Sequence, residues 1–157
     1  AKLPEFANQT IAIAPIRTAT QVSIEADPLL KKDIRFFFEP NSSILDKAAA
    51  ENLEFLDTIK RLLQVSPGST VLLRGHVDNA RISEIRAQGG DPLVQSMALR
   101  AMELSRQRAL SVREALTERH PQIDVARLEA VGRGWEEPAS TNSDLNRRVE
   151  VQWFTLE

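Results

Sequence analysis

The sequence of 157 residues contains no cysteine and only two histidines. The absence of cysteine excludes disulfides, thiolate metal sites and cysteine nucleophiles, although it fits any redox compartment. His76 and His120 do not make a zinc motif, because a metal hydrolase needs three ligands at regular spacing. There is also no G-x-S-x-G elbow, and residues 132–134 form an isolated G-x-G between two strands. We therefore predict a protein that is not an enzyme and has no catalytic residue, cofactor or metal.

Net charge is small, and long apolar runs are missing. Twenty basic residues against 22 acidic ones leave a net charge of -2, which provides no positive field for a phosphate backbone, so no nucleic acid partner is expected. No stretch approaches the roughly 18 apolar residues of a spanning helix, so this fragment is not expected to cross a membrane. The chain opens at Ala1 without a signal-peptide pattern, and we expect a processed product or a piece of a longer protein.

The pattern of predicted secondary structure changes at about residue 33. Residues 1–33 contain two short alternating runs, at 10–14 and 21–25, which favour an N-terminal hairpin extension or, equally, a linker from an upstream domain. Residues 34–157 alternate strand and helix patterns and have the size of one domain that folds without disulfides.

The second region predicts an α/β fold of the α+β sandwich type, with a β-α-β-α-β-β core. We expect a mixed sheet with the helices packed on one face, parallel pairing of strands separated by helices, and an antiparallel hairpin of the last two strands. The predicted strands are Ile34–Phe38, Val71–Asp78, Arg127–Val131 and Arg148–Phe154, and the predicted helices run from an N-cap at Asp46 to Pro67-Gly68 and from Met97 to Arg119. Residues 79–97 show no sustained periodicity and are interpreted as a long connecting loop, an insertion, with one helical turn near Ile82 to Ile85.

One arginine lies on the apolar side of the last long helix. With Leu104 at zero and about 100° per residue, Arg108 falls near 40°, inside the stripe that contains Val112 and Leu116, whereas Arg106 and Arg113 fall near 180 to 200°. A buried guanidinium stays charged, so it needs a carboxylate or an anionic ligand nearby.

Asp78 is the best internal candidate for that carboxylate. It ends the second strand, and ligand crevices in open α/β sheets usually lie beyond the carboxyl ends of strands. If Asp78 and Arg108 are held apart, they form a receptor for a zwitterion, in which the acid meets an ammonium and the arginine meets a carboxylate. If they touch, they form a structural salt bridge, and these residues alone leave both alternatives open.

Three separated motifs add a family resemblance. Residues 74–78, 104–109 and 146–151 read R-G-H-V-D, L-S-R-Q-R-A and N-R-R-V-E-V. They resemble, in order, the G-H-T-D, L-S-x-x-R-A and N-R-R-V signatures of the OmpA-like peptidoglycan-binding domain found in OmpA, Pal lipoproteins and MotB. The resemblance covers about Phe36 to Phe154.

The resemblance implies non-covalent binding of peptidoglycan through the meso-diaminopimelate of its stem peptide. The ligand-binding residues it carries over are Asp78 and Arg108, with Asn41 in the loop after the first strand and Arg147 of N-R-R-V; His76 is assigned to structure. A turn-capping role for Asn41 and an acid partner for Arg147 are the structural alternatives. The implied setting is the periplasm, where the domain would anchor a cell-envelope or outer-membrane component to the cell wall.

The chain departs from the family pattern at three points. Val77 replaces the family threonine, Ala101 stands where the family often has a binding asparagine, and the connection at 79–97 is long. These departures support the alternative that the fold is used as a protein-interaction or oligomerisation module without peptidoglycan binding. A homodimer is one assembly that the sequence leaves open.

Overall fold

The structure, a computed structural model, describes residues 34–155, so the hairpin expected within residues 1–33 lies outside them. The predicted order of strands and helices is confirmed, with one additional short helix and a 3-10 turn at Val125–Arg127 before the third strand. The elements are β1 (Arg35–Phe37), α1 (Ala50–Val65), β2 (Thr70–Gly75), α2 (Ile82–Arg119), β3 (Leu128–Gly132), α3 (Ser143–Asn146) and β4 (Arg148–Phe154).

The four strands form one mixed sheet in the order β1-β4-β2-β3. β2 and β3 are parallel, as expected for strands joined through a helix, while β4 is antiparallel to both β1 and β2. The prediction that the last two strands form a hairpin is wrong, because β3 and β4 are not neighbours in the sheet. β4 lies between β1 and β2, where both rows of its backbone hydrogen-bonding groups find partners.

The core lies between the sheet and the two long helices, which pack on one face as predicted. In the register of the sheet, Val71 and Leu73 of β2 share the inner face with Phe36 of β1 and Val149 of β4. The helical side of this cluster contains Leu56, Ile59, Leu63, Val112, Ala115 and Leu116. None of the helices between residues 34 and 155 has the length and apolar character needed to cross a bilayer.

The connection at 79–97 is helical from Ile82 onward rather than a loop with a single helical turn, which corrects the sequence-based expectation. α2 starts at Ile82 and is broken only at Gly90, whose backbone has φ 68° and ψ -167°. Pro92 lies two residues after Gly90, at the start of the second helical segment, where its missing N–H costs no helical hydrogen bond.

α1 begins later than predicted. Its first residue is Ala50, and Asp46 instead accepts a hydrogen bond from the backbone N–H of Ala48 at 3.0 Å, within a turn before the helix. The helix ends at Val65, before Pro67-Gly68, as expected. Arg127 then binds the carbonyl oxygens of Leu63 and Ser66, at 2.9 and 2.8 Å, and so caps the end of α1.

Candidate functional site

The candidate site forms where the carboxyl end of β2 touches α2. A side chain at Gly75 would place its Cβ 1.9 Å from the carbonyl oxygen of Ser105, so only glycine allows this close approach. A Cβ at Gly132, at the end of the neighbouring β3, would lie 2.6 Å from Ser105 Oγ. Both strand ends are therefore fixed against one turn of α2, and Arg108 follows three residues after Ser105.

Arg108 is completely buried, as its position on the helix predicted. Its guanidinium donates from Nε to the carbonyl oxygen of Ser42 at 2.8 Å, from Nη1 to that of His76 at 2.8 Å and from Nη2 to that of Glu39 at 3.1 Å. Three of the five N–H groups of a guanidinium are thus bound to backbone oxygens, and they tie the loop after β1 to the end of β2.

Arg108 remains a cation in these surroundings. Burial, followed by the charge of Arg147, lowers the pKa of Arg108 to about 10, which is still well above neutral pH. The guanidinium carbon lies 5.5 Å from the centre of the Phe38 ring, a cation-π contact that favours the charged form. The cation is stabilised by carbonyl dipoles and a ring rather than by a carboxylate.

Asp78 is partly buried and is held by neutral donors. Its Oδ1 accepts from Nδ2 of Asn146 at 2.9 Å, and its Oδ2 accepts from Oγ of Ser143 at 2.8 Å and from the backbone N–H of Ala80 at 3.2 Å. Burial opposes ionisation of Asp78, but the hydrogen bonds from Asn146, Ser143 and the backbone N–H groups of Ala80 and Asn79 together outweigh burial and lower the pKa of this carboxyl. Asp78 is therefore an anion at neutral pH.

The two charges do not neutralise each other. Within residues 34–155 no ion pair joins Asp78 to Arg108, and the salt bridge left open by the sequence is not formed. Both groups nevertheless lie at the same end of β2, because Arg108 donates to the carbonyl of His76, two residues before Asp78. The structure thus brings together an anion and a cation, each held by neutral partners.

The sequence reasoning missed the partners of Asp78. Ser143 and Asn146 belong to the short helix α3, which the sequence did not predict. The available signal was the N-R-R-V motif itself, since its asparagine is the residue that contacts Asp78.

Asn41 lies in a turn whose first residue is Glu39. The N–H of Ser42 donates to the carbonyl of Glu39 at 3.1 Å, Pro40 occupies the second position, and Asn41 has φ 57° at the third, as in a type II turn. Its side chain is exposed. Asn41 therefore contributes its backbone conformation to this turn, and the turn directs two carbonyl oxygens at Arg108.

Arg147 lies beside Arg108 at the end of β1. Its Nε donates to the carbonyl oxygen of Phe38 at 2.9 Å, and Nη2 forms an ion pair with Asp144, three residues earlier. Its side chain is 15% exposed, so this guanidinium, unlike that of Arg108, reaches the surface. The acid partner considered for Arg147 is present in Asp144.

His76 lies beneath the site and is 1% exposed. Its ring nitrogens are 3.7 Å from Glu150 and 3.9 Å from Glu137, beyond hydrogen-bond distance, and burial lowers the pKa of the imidazole. Its carbonyl holds Arg108, and its N–H donates to the carbonyl of Arg148 at 2.8 Å. These contacts give His76 the structural role that was assigned to it. Within residues 34–155 no three acid or histidine side chains are placed to hold a metal ion.

Solved structures of several bacterial proteins share this fold. The peptidoglycan-associated lipoprotein from Burkholderia pseudomallei aligns with a TM-score of 0.63 at 21% identity, over 83% of this chain and 99% of its own. The OmpA-like domain of FopA1 from Francisella tularensis aligns with a TM-score of 0.56 at 19% identity, over 80% of this chain and 73% of its own. The periplasmic domain of Helicobacter pylori MotB aligns with a TM-score of 0.54 at 21% identity, over 76% of this chain and 68% of its own.

At the level of sequence, no functionally curated protein matches the chain. The sequence profile of the OmpA family does match, and it covers residues 37–152, which include β2, α2 and all three motifs around the site. The chain therefore belongs to the OmpA family.

Proposed function

We propose that this domain binds peptidoglycan without cleaving it, through the diaminopimelate of the stem peptide, and so tethers an envelope protein to the cell wall in the periplasm. Family membership and the similarity to a peptidoglycan-associated lipoprotein support this proposal. The free end of diaminopimelate carries an ammonium and a carboxylate on one carbon. In the proposed complex Asp78 accepts from the ammonium, and Arg108 donates to the carboxylate.

The observation that carries the proposal is that Asp78 and Arg108 are each held by neutral groups. Asp78 is bound by an amide, a hydroxyl and a backbone N–H, and Arg108 by three carbonyl oxygens. Neither charge has to give up an ionic partner when a ligand arrives. A zwitterion supplies the opposite charge to both groups.

Access to the two charges differs. Asp78 is partly exposed, whereas Arg108 is completely buried beneath the turn from Glu39 to Ser42. The ligand carboxylate therefore reaches Arg108 only when this turn moves aside and releases the carbonyl oxygens of Glu39 and Ser42. Asn41, exposed in that turn, and Arg147, which reaches the surface beside it, are the proposed accessory contacts.

Calorimetry with a stem peptide that contains meso-diaminopimelate tests the proposal. Asp78→Asn keeps the shape of the side chain and removes its charge, and Arg108→Ala removes the cation. Each variant is expected to lose about 2 to 5 kcal/mol of binding free energy, because each leaves one ligand charge without its partner in a partly dry site. Arg106→Ala is the matched control: it removes an exposed arginine two positions away, and its expected effect is small.

A loss of less than 1 kcal/mol in a folded Asp78→Asn protein would contradict the ligand role of this acid. A second peptide, with lysine in place of diaminopimelate, tests the chemical class of the ligand. It keeps an ammonium but lacks the neighbouring carboxylate, so weaker binding is expected. Equal binding of the two peptides argues against recognition of the zwitterion.

The full burial of Arg108 favours one alternative, a protein-interaction module that retains the fold. In that case Arg108 fastens the loop after β1 to the end of β2 and does not meet a ligand. Co-sedimentation separates the two functions. Retention on sacculi of the diaminopimelate type, and weaker retention on the lysine type, supports wall binding; equal or absent retention supports the interaction module.

A further inference from the structure

The side chain of Asn146 makes four hydrogen bonds, and the residue is 1% exposed. Its Oδ1 accepts from the backbone N–H groups of Ala139 and Ser140, at 2.8 and 3.1 Å. Its Nδ2 donates to Oδ1 of Asp78 at 2.9 Å and to the carbonyl oxygen of Ser140 at 2.9 Å. The side chain therefore joins the acid at the end of β2 to the loop that leads into α3.

The orientation of this amide is fixed by its partners. Two backbone N–H groups require an acceptor on one side, and a carboxylate together with a carbonyl requires a donor on the other. A rotated amide would set donor against donor and acceptor against acceptor in a buried place, which is costly. Nδ2 of Asn146 consequently has to face Asp78.

A neutral hydrogen-bond donor suits an acid that binds a cationic ligand, because it holds the carboxylate without neutralising its charge. A lysine or arginine at this position would stabilise the Asp78 carboxylate but also neutralise it, and an aspartate would repel it. Within residues 34–155 no cation pairs with Asp78, and its side-chain partners are Asn146 and Ser143. The amide thus orients the carboxylate and leaves its charge available.

We propose that Asn146 is the positioning residue of the binding site: it holds the Asp78 carboxylate in a fixed orientation for a cationic ligand group, and it connects that orientation to residues 139 and 140. Ser143 is the second donor and adds to the same effect. This inference rests on the proposed function in naming the ligand group, while the effect of Asn146 on Asp78 is a property of the free protein.

The test measures the titration of Asp78 by carboxyl carbon NMR in the protein without ligand. In Asn146→Ala the pKa of Asp78 is expected to rise, because burial still disfavours the anion and one donor is gone. Ser143→Ala should also raise the pKa of Asp78, but by a smaller amount. Asn52→Ala is the matched control, because it also removes an asparagine amide, but one on α1 that donates to the carbonyl oxygen of Asp46 at 3.0 Å.

Binding of the diaminopimelate peptide supplies the second readout, measured from pH 4 to pH 7. Asn146→Ala is expected to bind about tenfold more weakly, the size of one hydrogen bond to a charged group, and to lose binding at a higher pH than the parent protein. Asn52→Ala should leave both the affinity and its pH dependence unchanged. If Asn146→Ala does not fold, Ser143→Ala carries the test with the same expected direction.

The outcomes separate the two proposals. An unchanged pKa of Asp78 in folded Asn146→Ala, or an equal change in Asn52→Ala, overturns the positioning role. A raised pKa of Asp78, in a parent protein that fails to bind the peptide, supports the positioning effect and overturns the proposed function alone.

Discussion

Arg106 and Arg108 lie two positions apart on α2 and have different surroundings. Arg106 pairs with Glu103 at the surface, where both side chains are more than half exposed. Arg108 is completely buried and binds three backbone carbonyl oxygens. The helical repeat alone separates them, because two residues correspond to about 200° around the axis. The charge of Arg106 is solvated, whereas the charge of Arg108 has to be stabilised by protein groups.

This difference predicts unequal effects on stability. Arg108→Ala leaves buried carbonyl oxygens without donors and opens a cavity, so a loss of about 3 kcal/mol in the free energy of unfolding is expected. Arg106→Ala removes one exposed pair and should change the free energy by less than about 0.5 kcal/mol. Urea unfolding of both variants measures the difference, and equal losses would show that the contacts of Arg108 add nothing to the fold.

At the scale of elements, α2 has a break that its sequence explains. Gly90 has φ 68° and ψ -167°, a backbone conformation that is essentially restricted to glycine. Ile82 to Gly89 form the segment before the break, and it begins four residues after Asp78. The break therefore sets the direction of the helical segment that follows Asp78 in the chain.

Gly90→Ala is expected to destabilise the protein by about 1 to 3 kcal/mol, because a Cβ is strained in this conformation even where space is available. Gly68→Ala is the control: a Cβ there meets nothing within 4 Å, and Gly68 lacks a positive φ. Thermal melting of both variants tests the argument. A melting temperature of Gly90→Ala equal to that of Gly68→Ala would contradict it.

Periodic patterns predicted the elements whose environment is uniform along their length. The last strand, Arg148–Phe154, was predicted residue for residue, and the buried position of Arg108 followed from the helical repeat. The helix at 82–97 was missed because its apolar residues follow no single stripe and its Gly-Gly-Asp-Pro run is typical of a loop. The central position of β4 and the contact of Asn146 with Asp78 arise from long-range packing, which local patterns do not encode.

Ionised groups connect distant elements across the whole molecule. Asp57 of α1 binds Arg119 and His120 at the end of α2, and these contacts, the hydrogen bond from Arg119 first, lower the pKa of Asp57 to about 2. On β4, burial disfavours ionised Glu150, but His76 and Arg148 outweigh burial and lower the pKa of Glu150 to about 2. Stability at neutral pH therefore depends in part on two carboxylates that remain ionised far into the acid range.

The dependence of stability on pH follows from these shifts. In an unfolded chain Asp and Glu take up protons near pH 4, whereas in the folded protein Asp57 and Glu150 remain ionised until about pH 2. The stabilisation by both carboxylates is thus fully present above about pH 4 to 5 and is lost as the pH falls toward 2. His76 adds a loss of stability that begins at a higher pH. Burial lowers its pKa, so the unfolded chain binds this proton first, and stability begins to fall below about pH 6.5.

Glu150→Gln tests this account by chemical unfolding at a series of pH values from 8 to 2. The variant should be less stable than the parent protein at neutral pH by about 1 to 3 kcal/mol, because the buried guanidinium of Arg148 loses its ionic partner. Its stability should decline less steeply below pH 4, so that the two curves converge at the acid end. Glu118→Gln breaks only the exposed pair with Lys47 and should follow the parent curve throughout. Parallel curves for Glu150→Gln and the parent protein would mean that Glu150 gains nothing from ionisation in the fold, and acid sensitivity would then have to come from other groups.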